Sequence, residues 1–121
     1  MKYLLLVHLD SAEMAKQTQD EWRQLDRASL EYDRELERSG HYITSSALAD
    51  PKEAVIVRRS GDGYATTDGP FAEVKEHLGG FIYIEARDLN EAIAVAAKIP
   101  VGKFGAIEVR PTLEIDPDKP S

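Results

Sequence analysis

The sequence predicts an α+β domain with two helices laid on one face of a mostly antiparallel sheet. Three observations predict it. The periodicities run strand, helix, two or three strands, loop, strand, helix, strand, which is the order of a split βαβ sandwich. The chain of 121 residues is 42% hydrophobic, enough for one core and too little for two ordinary domains. The runs Leu4-Leu5-Leu6-Val7 and Phe81-Ile82-Tyr83-Ile84 are apolar on both alternating faces, as strands covered on both sides read.

The first strand is expected over residues 2–9. His8 and Asp10 interrupt its apolar run, so it reads as a strand and not as a signal peptide. Trp22, Leu25, Tyr32 and Leu36 recur at helical spacing and predict a long amphipathic helix over 18–39, closed by Gly40 as a left-handed cap. Ser29 stands in the middle of that stripe, where an apolar residue is expected. Such a serine either bonds back to its own helix or borders a cavity, and the first reading is favoured. Residues 42–49 and 54–59 read as strands, and Ser60-Gly61-Asp62-Gly63 as a turn into a return strand at 64–66. Thr67 to Phe71 form a loop, because Gly69 and Pro70 adjoin, and a polar turn follows over 72–77. Gly79-Gly80 opens a strand over 81–86. Asp88 with Glu91 three residues on starts a second helix, with Leu89, Ala92, Ile93 and Ala96 as its buried stripe and Pro100 as its stop. A final strand at 106–110 leads into a proline-bearing tail, so the domain is drawn over 1–111 and the tail over 112–121. This is a ferredoxin-like split βαβ sandwich. Two helices cover only one sheet face, so a second copy of the chain is expected on the other, giving a homodimer.

Composition excludes several classes. Fifteen basic against 22 acidic residues leave a formal charge of -7, which opposes binding to nucleic acid or an anionic membrane surface. No apolar stretch approaches the roughly 20 residues of a membrane span. With no cysteine there is no disulfide framework or thiolate nucleophile, and a cytoplasmic location is the default. The chain has no hydrolase elbow, Walker pattern or dinucleotide glycine pattern, so no cofactor is expected.

The segment Asp68-Gly69-Pro70-Phe71-Ala72-Glu73-Val74-Lys75-Glu76 concentrates three carboxylates, a lysine and rigid backbone. A constrained loop that brings ionisable groups to a sheet edge is a place for acid–base chemistry. On the residues alone the favoured reading is that Asp68 accepts hydrogen bonds from the turn it opens, with Glu73, Lys75 and Glu76 facing solvent. Glu73, Glu76 and His77 would share one side of a helical turn, but no further ligand stands at a suitable distance and no metal site is expected. His8, on the face of Leu4 and Leu6, is either a hydrogen-bonded core group or a cleft residue. His41 is expected at the surface.

Met1-Lys2-Tyr3-Leu4-Leu5-Leu6, Thr67-Asp68-Gly69-Pro70-Phe71-Ala72-Glu73, Lys75-Glu76, Leu78-Gly79-Gly80-Phe81 and Val109-Arg110-Pro111 together resemble the DGPF-motif branch of the YCII-related family. The resemblance runs from Met1 to about Pro111. It implies a dimeric α-β barrel, a pocket near the motif loop and a frequent association of relatives with bacterial sigma factors. It also implies that wider members pair a histidine on the first helix with an aspartate as a catalytic dyad. Counted back from Gly40, that position falls on Ser29, so the dyad is incomplete; Val74 and His77 depart from the branch as well. Asp68 and Glu73, which match the motif, are then the catalytic candidates, and Lys75, Glu76, His8, Ser29 and Phe71 the binding candidates. One expectation is a small-molecule site in which Asp68 acts as base or orienting acceptor and Lys75 neutralises an anionic group. The other is a non-catalytic regulatory or interaction domain, held together by the motif.

Overall fold

The computed structural model describes residues 1–119 and orders them as β1 (Lys2–Asp10), α1 (Ser11–Ala15), α2 (Gln19–Ser39), β2 (Tyr42–Ala47), β3 (Val55–Ser60), β4 (Gly63–Asp68), β5 (Glu76–Glu85), α3 (Leu89–Ala97) and β6 (Gly105–Pro111). Short 3-10 turns sit at Pro51–Glu53 and Pro100–Phe104. The main sheet runs β2-β5-β1-β6 with every neighbouring pair antiparallel, and β3-β4 form a separate hairpin. This is the α+β ferredoxin-like arrangement. No helix among the described residues is long and apolar enough to cross a membrane.

The alternation of β1 decides the layers. Tyr3, Leu5, Val7 and Leu9 are buried beneath the helices, whereas Leu4, Leu6 and His8 point to the opposite face and are only half-buried. On the helix side, Tyr3, Leu5, Ile82 and Ile84 pack with Tyr32 and Leu36 of α2 and with Ala92, Val95 and Ala96 of α3. A second cluster joins Val7 and Leu9 to Leu25 and Phe104, with Trp22 packed against it. Thr18 and Glu21 form a reciprocal capping box at the start of α2, and Gly40 ends that helix at φ 81°, a conformation that only glycine adopts without penalty.

Three expectations need correction. The buried stripe of α3 is Ala92, Val95 and Ala96, while Leu89 and Ile93 are about half exposed. Two alanines let the helix lie close to the sheet, and the buried Tyr32 hydroxyl donates to the Val95 carbonyl at 2.6 Å, which fixes the helix rotation. Second, β5 begins at Glu76 and not at the glycine pair, so Glu76 and His77 are successive strand residues on opposite faces, not members of a helical turn. Gly79 is the extra residue of a β-bulge, since Val7 pairs with Gly80 but His8 with Leu78. Third, His41 is no free surface group: its ring bonds Ser39 at 2.7 Å and Glu91 at 2.8 Å. That bond holds the Glu91 carboxyl below the usual carboxylate range, helped by the Arg87 backbone N–H.

Candidate functional site

A cleft of about 630 Å³ opens between α2 and the β2-β5 side of the sheet. Gly79 and Gly80 lie in its floor at positions where a side chain does not fit. At Gly79 a Cβ would run into the Leu9 side chain, and at Gly80 it would lie 2.8 Å from the Ser46 carbonyl oxygen. The bulge carbonyl of Gly79 accepts from the Leu48 N–H at 2.9 Å, which ties the end of β2 to the cleft edge. On the helix wall, Asp26, Ser29, Leu30 and Asp33 face the opening. These are positions i, i+3, i+4 and i+7, one stripe along α2. Trp22, Met14 and Val101 complete an apolar rim, and Trp22 is braced by Phe104 with ring centroids 6.1 Å apart.

Ser29 thus borders a cavity, the less favoured of the two readings of its sequence position. Opposite it stands a short polar relay. Ser45 Oγ donates to Asp33 Oδ2 across a long 3.4 Å, and the Tyr42 hydroxyl lies 2.7 Å from Ser45 Oγ. With the serine proton committed to Asp33, Tyr42 is the donor to Ser45. Burial pushes the Asp33 carboxyl above the usual carboxylate range, the Ser45 bond opposes this, and the nearby Glu37 charge adds to it. Burial likewise pushes the Tyr32 hydroxyl up to about 12, which keeps it neutral and a donor.

The cleft continues into a smaller recess of about 390 Å³ lined by Ser11, His77 and Asp50. Ser11 Oγ lies 3.0 Å from His77 Nδ1. Beside it, Asp10 is the buried carboxylate of the described chain. It caps α1 by accepting from the N–H groups of Ala12 and Glu13.

The residues singled out from sequence fall into two groups. Ser29 lines the cleft, as do Gly79 and Gly80 from the end of the motif stretch. Asp68, Glu73 and Phe71 do not line it. Asp68 is the exposed last residue of β4, and among the described residues its side chain makes no hydrogen bond or ion pair. The turn after it is held instead by the Gly69 N–H, which donates to the Ala54 carbonyl at 2.7 Å with Gly69 at φ 102°. Phe71 is 76% exposed, with the Arg58 guanidinium 5.4 Å from its ring centre. Lys75 is largely exposed and reaches Asp10 at 3.7 Å, and Glu76 is exposed at the start of β5. His8 lies on the sheet face away from the cleft, 2.9 Å from Glu108. That bond, with a second from Arg110, holds the Glu108 carboxyl below its ordinary range. Among the described residues no cluster of three or more histidine or carboxylate side chains stands in metal-ligand geometry.

Sequence reasoning missed Asp33, Ser45, Tyr42 and the Ser11–His77 pair. The available signal for Asp33 was its place four residues after Ser29 on the same helix face, and mixed charge along α2 hid it.

Comparison with known proteins agrees with this architecture. An uncharacterised protein of Rhizobium meliloti (strain 1021) is 29% identical over 113 residues, covering 92% of this chain and 91% of its own. The model of the YCII-related domain matches residues 1–116, nearly the whole chain and every strand and helix of the sandwich, and the protein belongs to the YCII-related domain family.

Proposed function

We propose that the protein is a homodimeric small-molecule-binding domain whose ligand site is the α2 cleft, with Asp33 as the group fit for proton transfer. The observation that carries this is the cleft itself: apolar walls, Gly79 and Gly80 in the floor, and a few convergent polar groups in Ser29, Asp33 and Ser45. Concave, mostly apolar sites with few placed polar groups are how small ligands are held. A carboxyl that burial raises and that faces a cleft is a candidate acid–base group. The Asp68–Glu73 loop then serves assembly and not chemistry, in keeping with its exposure and with the exposed Val55, Val57, Tyr64 and Phe71 around it.

The dimer rests on the other sheet face. Leu4, Leu6, Phe81 and Tyr83 make an apolar patch there that no helix covers, and a twofold copy of the same patch is its simplest complement. Light scattering should give twice the 13.5 kDa of one chain; a single-chain mass at micromolar concentration would defeat the dimer. The site is tested by a thermal-shift screen of small metabolites, since ligands that bind only the folded state raise its melting temperature. Hits should vanish in Ser29→Leu, which fills the cleft with an apolar side chain the helix stripe accommodates, and persist in Asp68→Asn. The reverse pattern would return the site to the loop.

A further inference from the structure

Building on the cleft as the ligand site, we infer the class of its ligand: a cationic amphiphile, an apolar body ending in a protonated amine. The charge-bearing side chains that line the cleft are Asp26 and Asp33, and no lysine, arginine or histidine is among its lining residues. Both carboxylates lie on one stripe of α2, about 10 Å apart along the axis at 1.5 Å per residue. Ser29 stands between them and contributes a further acceptor. The remaining walls are Leu9, Met14, Trp22, Ile82 and Val101, which suit an alkyl or aromatic body. A carboxylate ligand would meet two like charges with no compensating cation, an arrangement that costs affinity. Lys75, the cation that the motif loop provides, is engaged with Asp10 outside the cleft.

Trp22 is the sole tryptophan of the chain and lines the cleft, so its emission reports occupancy directly. The full-length protein is titrated with octylamine, octanol and octanoate, which share a body and differ in the head group. Octylamine should bind at least about tenfold more tightly than the other two, as a charge-assisted hydrogen bond to Asp33 requires. Asp33→Asn should remove that preference and leave amine and alcohol within about twofold of each other. Asp20→Asn, which alters an exposed carboxylate paired with Arg23 at 3.0 Å, should leave it unchanged. Octanol or octanoate binding as tightly as octylamine would overturn the inference while keeping the cleft as the site. An amine preference that survives Asp33→Asn would overturn it too, by placing the cation elsewhere. No change in Trp22 emission or melting temperature with any of the three would remove the cleft reading and the ligand class together.

Discussion

The α2 cleft and the β3-β4 hairpin with its following loop are opposites in how they are built. The hairpin loop holds the most unusual sequence of the chain, Asp68-Gly69-Pro70-Phe71, because it has demanding backbone: Gly69 sits at φ 102° and donates to Ala54. Yet its side chains are spread over an exposed surface. The cleft is made of ordinary residues, and what distinguishes it is subtraction: a serine in an apolar stripe and two glycines in a strand. A rare motif therefore marks where the backbone is constrained, which need not be where a ligand is held.

This comparison breaks most readily on stability. Ile84 is fully buried beneath the helices, so Ile84→Ala should cost about 2–5 kcal/mol in denaturant unfolding. Val57, on the hairpin, is 63% exposed, and Val57→Ala should stay within about 0.5 kcal/mol unless the hairpin joins the subunit interface. A Val57→Ala loss comparable to that of Ile84→Ala, dependent on protein concentration, would show that the hairpin carries the assembly.

A smaller effect separates the two candidate carboxylates. Asp68 has no hydrogen-bond partner among the described residues, so both Asp68→Asn and Asp68→Ala should leave the melting temperature within the scatter of surface substitutions. A destabilised alanine variant beside a stable asparagine variant would restore Asp68 as an acceptor for its turn.

The smallest effect is a pH dependence at Asp33. Its folded pKa lies above its unfolded value because of burial, so through that window the folded state binds more protons than the unfolded one. Stability from this group accordingly falls as pH rises through the window. Asp33→Asn should melt slightly higher than the wild type at neutral pH, and the gap should close as pH falls below the ordinary carboxylate range. A variant that melts lower at neutral pH would mean that the Asp33 charge is a net stabiliser, paired more strongly than the long Ser45 bond implies.

Much of the frame was legible in the chain. Two-sided apolar runs placed β1 and β5 at the sheet centre, and Gly40 marked the end of α2, because each depends on local pattern alone. The α3 stripe was half legible: Ala92 and Ala96 are buried as expected, but Val95 takes the place of the larger Leu89 and Ile93, because the small alanines set which side of the helix approaches the sheet. The cleft was half legible. Ser29 betrayed a gap in its own helix, but the facing wall depends on a bulge at Gly79 that exists only when β5 pairs with β1 in that register. Asp33 gained meaning only when Ser45, twelve residues away on another element, was brought to it.

Whether the cleft or the loop is the site is tested most directly by mapping amide chemical shifts of isotope-labelled protein during an octylamine titration. The shifts should concentrate at Ser29, Asp33, Ser45, Gly79 and Gly80, with Asp68 to Glu73 undisturbed. Shifts confined to Asp68 to Glu73, with Ser29 and Gly79 unmoved, would contradict the account.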